Sequence, residues 1–134
     1  MAKSESSNRM KIGSKGALAV ALSSLEGFKE PKVRVEQYST DAEIAAEVLW
    51  NAHMKGDIGK VSVDLGCGTG ILGIGCLLLG ANEVYLVDND EKALDIAREN
   101  YDKIKSEYSM PGKAHFLHQD IDLFKKKVGT VVQN

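Results

Sequence analysis

Cysteine, long apolar runs and an excess of charge of one sign are all scarce in this 134-residue sequence. Its two cysteines, Cys67 and Cys76, are too few for a disulfide framework or a zinc site, and they favour the reducing cytoplasm. The longest apolar run, residues 71–81, is far shorter than the roughly 20 residues that cross a bilayer. The formal net charge of −2 argues against a protein that coats nucleic acid by bulk charge. We therefore expect a cytoplasmic protein without a membrane segment or a metal site.

What the sequence does contain, 43% hydrophobic and 27% charged residues, is typical of a globular domain. Residues 1–30 are predicted to form a flexible, serine-rich segment and one helix that ends at Gly27. Residues 31–134 are predicted to form the main domain, for which the chain is long enough to bury one core. A second helix is predicted to begin after Thr40, and its apolar face would consist of Ile44, Val48, Leu49 and Ala52.

From residue 60 onward, short apolar segments alternate with helical patterns. The segments VSVDLG, EVYLVD, AHFLHQD and TVVQN are typical of strands. Between them lie the apolar helix ILGIGCLLLG and a long charged helix that Asp90 is predicted to cap. This alternation predicts an α/β fold, with a doubly wound parallel sheet of about four strands preceded by the N-terminal helices.

A glycine-rich loop, DLGCGTG at residues 64–70, lies between the first of these strands and the helix that follows it. Parallel α/β sheets bind ligands at this point, and glycine lets the backbone turn sharply and approach a ligand closely. A strand–helix turn without a ligand would contain the same glycines. Asp88, however, ends the next strand, about 20 residues further on, where dinucleotide folds place the carboxylate that binds ribose hydroxyls. The glycine loop and Asp88 together favour a ligand that contains a nucleoside.

The identity of that ligand depends on Asp64, which precedes the loop. Residues 68–73 match the pattern GxGxxG, so NAD is open on the glycines alone. A carboxylate at Asp64 would repel a pyrophosphate and attract a cationic amino group. S-adenosylmethionine carries an ammonium and a sulfonium and no phosphate, so Asp64 favours this cofactor. Asp120, after the third strand, either reaches the adenine edge or serves as a turn or N-cap residue.

Two segments of the sequence carry a family resemblance. DLGCGTGILGIG followed by VDNDEKALDIARENY resembles the class I, Rossmann-like, S-adenosylmethionine-dependent methyltransferases. The segment EQYST at residues 36–40 is specific to a smaller group of methyltransferases than the glycine loop is. It resembles the EQY-x-T signature of the archaeal and eukaryotic methyltransferase-like-five family, which methylates adenine N6 in RNA, and in rRNA in particular. That family pairs the signature with a later NPPF motif.

The resemblance implies a Rossmann-like domain and a set of cofactor contacts. Residues of the EQY-x-T segment would touch the cofactor from outside the sheet. Asp88 would bind the ribose, while Asp120 and Ile121 would bind the adenine. With the loop residues, the predicted cofactor-binding set is Gln37, Tyr38, Thr40, Asp64, Gly66, Cys67, Gly68, Thr69, Gly70, Ile71, Asp88, Asn89, Asp120 and Ile121.

The resemblance also implies the catalytic residue and the partners. In the family, the asparagine and a proline carbonyl of NPPF accept hydrogen bonds from the target amine. Asn134 stands at the first position of this motif and no Pro-Pro-Phe follows it, so we expect these 134 residues to supply mainly the cofactor half and to be inactive alone. The implied partners are an RNA substrate and a small zinc-containing activator protein. A methyltransferase for protein glutamine or a small molecule, and a non-catalytic cofactor-binding or interaction module, are the alternatives.

Overall fold

The structure, a computed structural model, describes residues 8–25, 27 and 42–120 and the backbone of residues 130–133. Gln37, Tyr38, Thr40, Ile121 and Asn134 lie outside the described residues. The elements are α1 (Lys15–Ser23), α2 (Ala42–Met54), β1 (Val61–Leu65), α3 (Ile71–Leu78), β2 (Glu83–Asp88), α4 (Glu91–Glu107), β3 (Lys113–His118) and β4 (Thr130–Gln133).

The described strands form one parallel sheet in the order β3-β2-β1-β4. The chain adds β2 and β3 on one side of β1 and then returns to add β4 on the other side. This reversal makes the carboxyl ends of β1 and β4 a topological switch point, where open α/β sheets bind their ligands. The predicted Rossmann-like, doubly wound sheet of four strands is therefore confirmed.

Local capping explains where the helices begin. The Ser14 hydroxyl accepts a hydrogen bond from the Ala17 N–H at 3.1 Å, and the Asp90 carboxylate accepts one from the Lys92 N–H at 3.0 Å. The cap at Asp90 confirms the prediction for α4.

The end of α1 differs from the prediction, because the helix stops at Ser23 rather than at Gly27. There the Ser24 hydroxyl donates to the Ala21 carbonyl, which satisfies one of the last helical carbonyls.

Helix α3 lies at the centre of the core, between the sheet and the N-terminal helices. Ile74 and Leu77 of α3 are fully buried. A Cβ atom at Gly73 would lie 2.8 Å from the Leu86 side chain of β2, and one at Gly75 would collide with the Leu49 side chain of α2. These two glycines therefore allow α3 to pack closely against both layers.

The predicted apolar face of α2 is wrong in two of its four residues. Ile44 and Val48 are each 58% exposed, whereas Ala45, Ala46 and Leu49 are buried. The small alanine side chains let α2 approach α1 and α3 closely, and Leu49 fills the space that Gly75 leaves open. Apolar residues occur on both sides of this helix, so periodicity alone did not fix its orientation.

The described part of the chain contains neither a helix long and apolar enough to cross a membrane nor a group of three or more potential metal ligands.

The turn before β3 generates a prediction about stability. A Cβ atom at Gly112 would lie 2.9 Å from the Asn82 carbonyl oxygen and closer still to that of Ala81. Both atoms are backbone, so they cannot rotate away. We expect Gly112→Ala to lower the free energy of unfolding by about 1–3 kcal/mol, measured by urea denaturation. Gly13→Ala is the matched control, because an added methyl group there meets no described atom within 4 Å. Equal stability of the two variants would contradict the packing argument.

Candidate functional site

The glycine loop follows β1 and is held against β2 by backbone hydrogen bonds. The N–H groups of Gly66 and Cys67 both donate to the Val87 carbonyl, at 2.8 and 3.0 Å. The φ angles of Gly66, Gly68 and Gly70 are 70°, 56° and 92°, in the left-handed region that favours glycine. A Cβ atom at Gly68 would meet no described atom within 4 Å. The tip of the loop therefore presents bare backbone to open space, where a ligand can approach closely.

Asp88 joins the end of β2 to the tip of this loop. Its Oδ2 atom accepts a hydrogen bond from the Gly68 N–H at 2.8 Å, and its Oδ1 atom accepts one from the Asp90 N–H at 2.8 Å. The residue is only 9% exposed. An ionised carboxylate has about four acceptor positions, so these two bonds leave capacity for hydroxyl groups of a ligand. The structure thus brings the predicted ribose-binding residue against the predicted loop.

Asp64 lies at the end of β1, fully buried beneath the loop. Its Oδ2 atom accepts a hydrogen bond from the Gly73 N–H, in the first turn of α3, at 2.9 Å. Its Oδ1 atom is buried and has no hydrogen-bond partner among the described residues. A buried carboxylate oxygen without a partner is costly, and it is a ready acceptor for a cationic group.

The electrostatics of Asp64 follow from this burial. Burial raises the pKa of its carboxyl from 3.8 to about 7; the Gly73 hydrogen bond opposes the rise, and the nearby negative charge of Asp88 adds to it. The side chain is therefore divided between its neutral and ionised forms near neutral pH. A cation placed beside Oδ1 would favour the ionised form and lower this pKa.

The remaining described members of the predicted set lie at the same edge of the sheet. His118 Nε2 is 3.1 Å from the Asn89 carbonyl oxygen, and the Gln119 N–H donates to the Asp88 carbonyl at 3.1 Å. These contacts place Asp120, just beyond β3, near the end of β2. Three acidic side chains, Asp64, Asp88 and Asp120, thus lie at or just beyond the carboxyl ends of three adjacent strands.

Cys67 contributes its main chain to the glycine loop, while its side chain points into the core. Its side chain is fully buried, and burial together with the carboxylates of Asp64 and Asp88 raises the pKa of its thiol far above its usual range. A neutral, buried thiol is a packing residue and does not act as a nucleophile. Any contact of Cys67 with a ligand would therefore come from its main chain.

Sequence reasoning missed one residue that contacts the loop. Asn100 of α4 is 2% exposed, and its Nδ2 atom donates to the Thr69 carbonyl at 2.9 Å. The signal was present, because Asn100 interrupts an apolar stripe of α4 that is formed by Ala93, Ala97 and Ile104. A polar residue on a buried face needs a partner, and here the partner is the glycine loop.

The strand order, the glycine loop and the acids at the carboxyl ends of β1 and β2 define a Rossmann-like domain of the nucleoside-binding class. Residues 45–134 match the family model described as "Ribosomal protein L11 methyltransferase (PrmA)". The chain therefore belongs to this methyltransferase family.

Individual relatives of this chain include rRNA N(6)-adenosine-methyltransferases. The rRNA N(6)-adenosine-methyltransferase METTL5 of Danio rerio is 37% identical over 123 residues, which are 87% of this chain and 57% of the relative. The Drosophila melanogaster protein of the same description is 42% identical over 83 residues, 59% of this chain and 38% of the relative. The resemblance to class I methyltransferases of the methyltransferase-like-five type is confirmed. The chain spans about half the length of these relatives.

Solved structures agree with this assignment. A Pyrococcus horikoshii protein, assigned provisionally as an RNA methyltransferase, has 45% sequence identity and a TM-score of 0.75, over 90% of this chain and 58% of its own. Magnesium protoporphyrin IX methyltransferase of Synechocystis, solved with bound S-adenosylmethionine, has 25% identity and a TM-score of 0.59, over 78% of this chain and 50% of its own.

The burial of Asp64 generates a prediction about pH and stability. Its pKa is higher in the folded chain, about 7, than the ordinary value of 3.8, so ionisation favours the unfolded chain. The free energy of unfolding should therefore fall as the pH rises through this interval. Asp64→Asn removes this ionisation. The free energy of unfolding of the variant, minus that of the wild type, should therefore be larger at about pH 8 than at about pH 4.5, by on the order of 1–3 kcal/mol.

Urea denaturation at several pH values measures this difference. Asp102→Asn, which alters an exposed carboxylate on α4, is the control and should follow the wild-type pH profile. A profile of Asp64→Asn parallel to that of the wild type would show that Asp64 is not the titrating group.

Proposed function

We propose that this chain is the cofactor-binding part of an S-adenosylmethionine-dependent methyltransferase that acts on adenine N6 in rRNA. Residues 31–134 form its cofactor-binding domain. The observation that carries the proposal is the buried Asp64 carboxylate beside the glycine loop, with Oδ1 unpartnered among the described residues. The likeness to rRNA N(6)-adenosine-methyltransferases supports the choice of substrate.

The residues at this edge of the sheet fit S-adenosylmethionine better than a dinucleotide. The cofactor's ammonium group would pair with Asp64, and its ribose hydroxyls would bind to Asp88. The adenine would lie toward Asn89, Asp120 and Ile121. A dinucleotide would bring its pyrophosphate to the loop, next to the buried acid at the end of β1, where like charges repel. The open backbone at Gly68 leaves room for a ligand to approach closely.

Each residue then has a role in methyl transfer. The cofactor supplies an electrophilic methyl group on its sulfonium. The loop, Asp64 and Asp88 fix its position, and orientation of this kind contributes about 7–11 kcal/mol to the lowering of a barrier. By the family resemblance, Gln37 and Thr40 would touch the cofactor from outside the sheet, and Tyr38 would help to close the pocket. Asn134 accepts hydrogen bonds from the target amine and draws its nitrogen toward a nucleophilic, tetrahedral form.

The proposal includes two partners and a location. An adenine within structured RNA leaves its stack to reach the site. The family resemblance implies a small zinc-containing activator protein as the second partner; β3 and β4 each pair with a single neighbour among the described strands and offer the backbone edges at which it would bind. Both partners are expected in the cytoplasm.

Binding of the cofactor tests the site directly. We expect the 134-residue chain to bind S-adenosylmethionine in calorimetry and to bind NADH at least about tenfold more weakly, because the carboxylates repel phosphate. Asp64→Ala and Asp88→Ala should each weaken S-adenosylmethionine binding by about 10- to 100-fold, since each removes a charged hydrogen-bond acceptor. Asp102→Ala, an exposed acid on α4, is the control. No heat with S-adenosylmethionine, or tighter binding of NADH, would overturn the proposal.

The same pairing makes affinity depend on pH. The ammonium pairs with the ionised form of Asp64, and the pKa of Asp64 before binding is about 7. Affinity for S-adenosylmethionine should therefore rise as the pH increases toward about 7, and it should fall again above about pH 8, where the cofactor's ammonium group loses its proton. Asp64→Asn should bind more weakly and lose this rise. A pH-independent wild-type affinity would place the ammonium away from Asp64.

Protein methylation is the second candidate, favoured by the match of residues 45–134 to a family described as ribosomal protein L11 methyltransferases. Transfer of labelled methyl groups by the full-length protein to ribosomal RNA and to ribosomal proteins separates the two. We expect label in RNA, recovered as N6-methyladenosine. Label in protein alone would replace the RNA proposal with this second one.

A further inference from the structure

Asn100 has a buried amide side chain, and the proposed function gives this side chain no role. Asn100 lies on the buried stripe of α4, 2% exposed, 31 residues along the chain from its partner Thr69. A polar side chain in such a position destabilises the fold unless it is hydrogen-bonded. Its Nδ2 atom meets this need by donating to the Thr69 carbonyl at 2.9 Å.

That hydrogen bond acts on one peptide unit of the glycine loop. The unit joins Thr69 to Gly70, and its carbonyl accepts from Asn100. Its N–H, which belongs to Gly70, donates to the Cys67 carbonyl at 2.9 Å. Because both polar groups of the unit are bonded, on opposite sides, rotation of the peptide plane would break two hydrogen bonds.

The position of this peptide matters because it connects the loop to α3. Gly70 is the N-cap of α3 and has a φ of 92°, so its orientation sets where the loop ends and the helix begins. On the other side of the tip, the Gly68 N–H is bonded to Asp88. The loop backbone is therefore held between β2 on one side and α4 on the other.

We propose that Asn100 is a positioning residue for the cofactor, which fixes the Thr69–Gly70 peptide so that the loop is already in its binding conformation before the ligand arrives. This inference rests on the proposed function of the loop. Without the Asn100 amide, the loop populates other orientations of this peptide. Cofactor affinity then falls in proportion to the fraction of molecules with the competent loop.

Two variants test the proposal in the 134-residue chain. Asn100→Leu keeps the approximate size of the residue, raises its helix propensity and removes the donor, and Asn100→Ala removes both donor and volume. We expect each to raise the dissociation constant for S-adenosylmethionine about tenfold, as loss of the hydrogen bond to the Thr69 carbonyl predicts. In both variants, hydrogen exchange of the Gly68 and Gly70 amides should be faster than in the wild type. Exchange of the Leu86 amide in β2 is the reference and should change less.

A control separates positioning from stability. Ile104→Val alters a buried residue of the same helix, one turn beyond Asn100, and lowers stability without removing a polar group. It should leave the dissociation constant and the exchange of both glycine amides at wild-type values. If Asn100→Ala does not fold, Asn100→Leu decides the result.

Wild-type affinity in the Asn100 variants, or an equal loss of affinity in Ile104→Val, would overturn the positioning role. Failure of the wild-type chain to bind S-adenosylmethionine would instead overturn the proposed function, and the role of Asn100 with it.

Discussion

The interaction on which the site depends is the hydrogen bond between the buried Asp64 carboxylate and the Gly73 N–H at the start of α3. It links the end of β1 to the helix that packs on the sheet. A Cβ atom at position 73 would lie 3.2 Å from Asp64 Oδ2 and 2.8 Å from Leu86, so glycine is needed for this approach. One amide and the positive end of a helix dipole offset only part of the cost of burying a carboxylate. The remaining cost is consistent with a site that a cation completes.

The other contacts of the loop come from parts of the chain that are distant in sequence. Val87 and Asp88 of β2 hold its first half, and Asn100 of α4 holds its second half. The loop is therefore rigid because of its surroundings as well as its glycines. A rigid loop binds a ligand more tightly than a flexible one, since less conformational entropy is lost on binding.

In the proposed function, the site described here holds the cofactor and does not by itself select the methyl acceptor. This division explains why relatives with different names share the same segment. A protein described as an rRNA N(6)-adenosine-methyltransferase and the family model described as ribosomal protein L11 methyltransferase both match this chain over the glycine loop. Methyl transfer to either acceptor needs an oriented sulfonium, and in the proposed function the acids and glycines would supply that orientation.

The sequence alone predicted the parallel sheet, the glycine loop, the cap at Asp90 and the adjacency of Asp88 to the loop, because strand–helix alternation, glycine conformation and capping are local properties. It did not predict that α2 buries Ala45 and Ala46 and exposes Ile44 and Val48, since that depends on how closely neighbouring helices pack. The raised pKa of Asp64 and the bond from Asn100 to Thr69 were likewise decided by the tertiary structure. Both require knowing which groups surround a buried side chain, and residues far apart in sequence supply those groups.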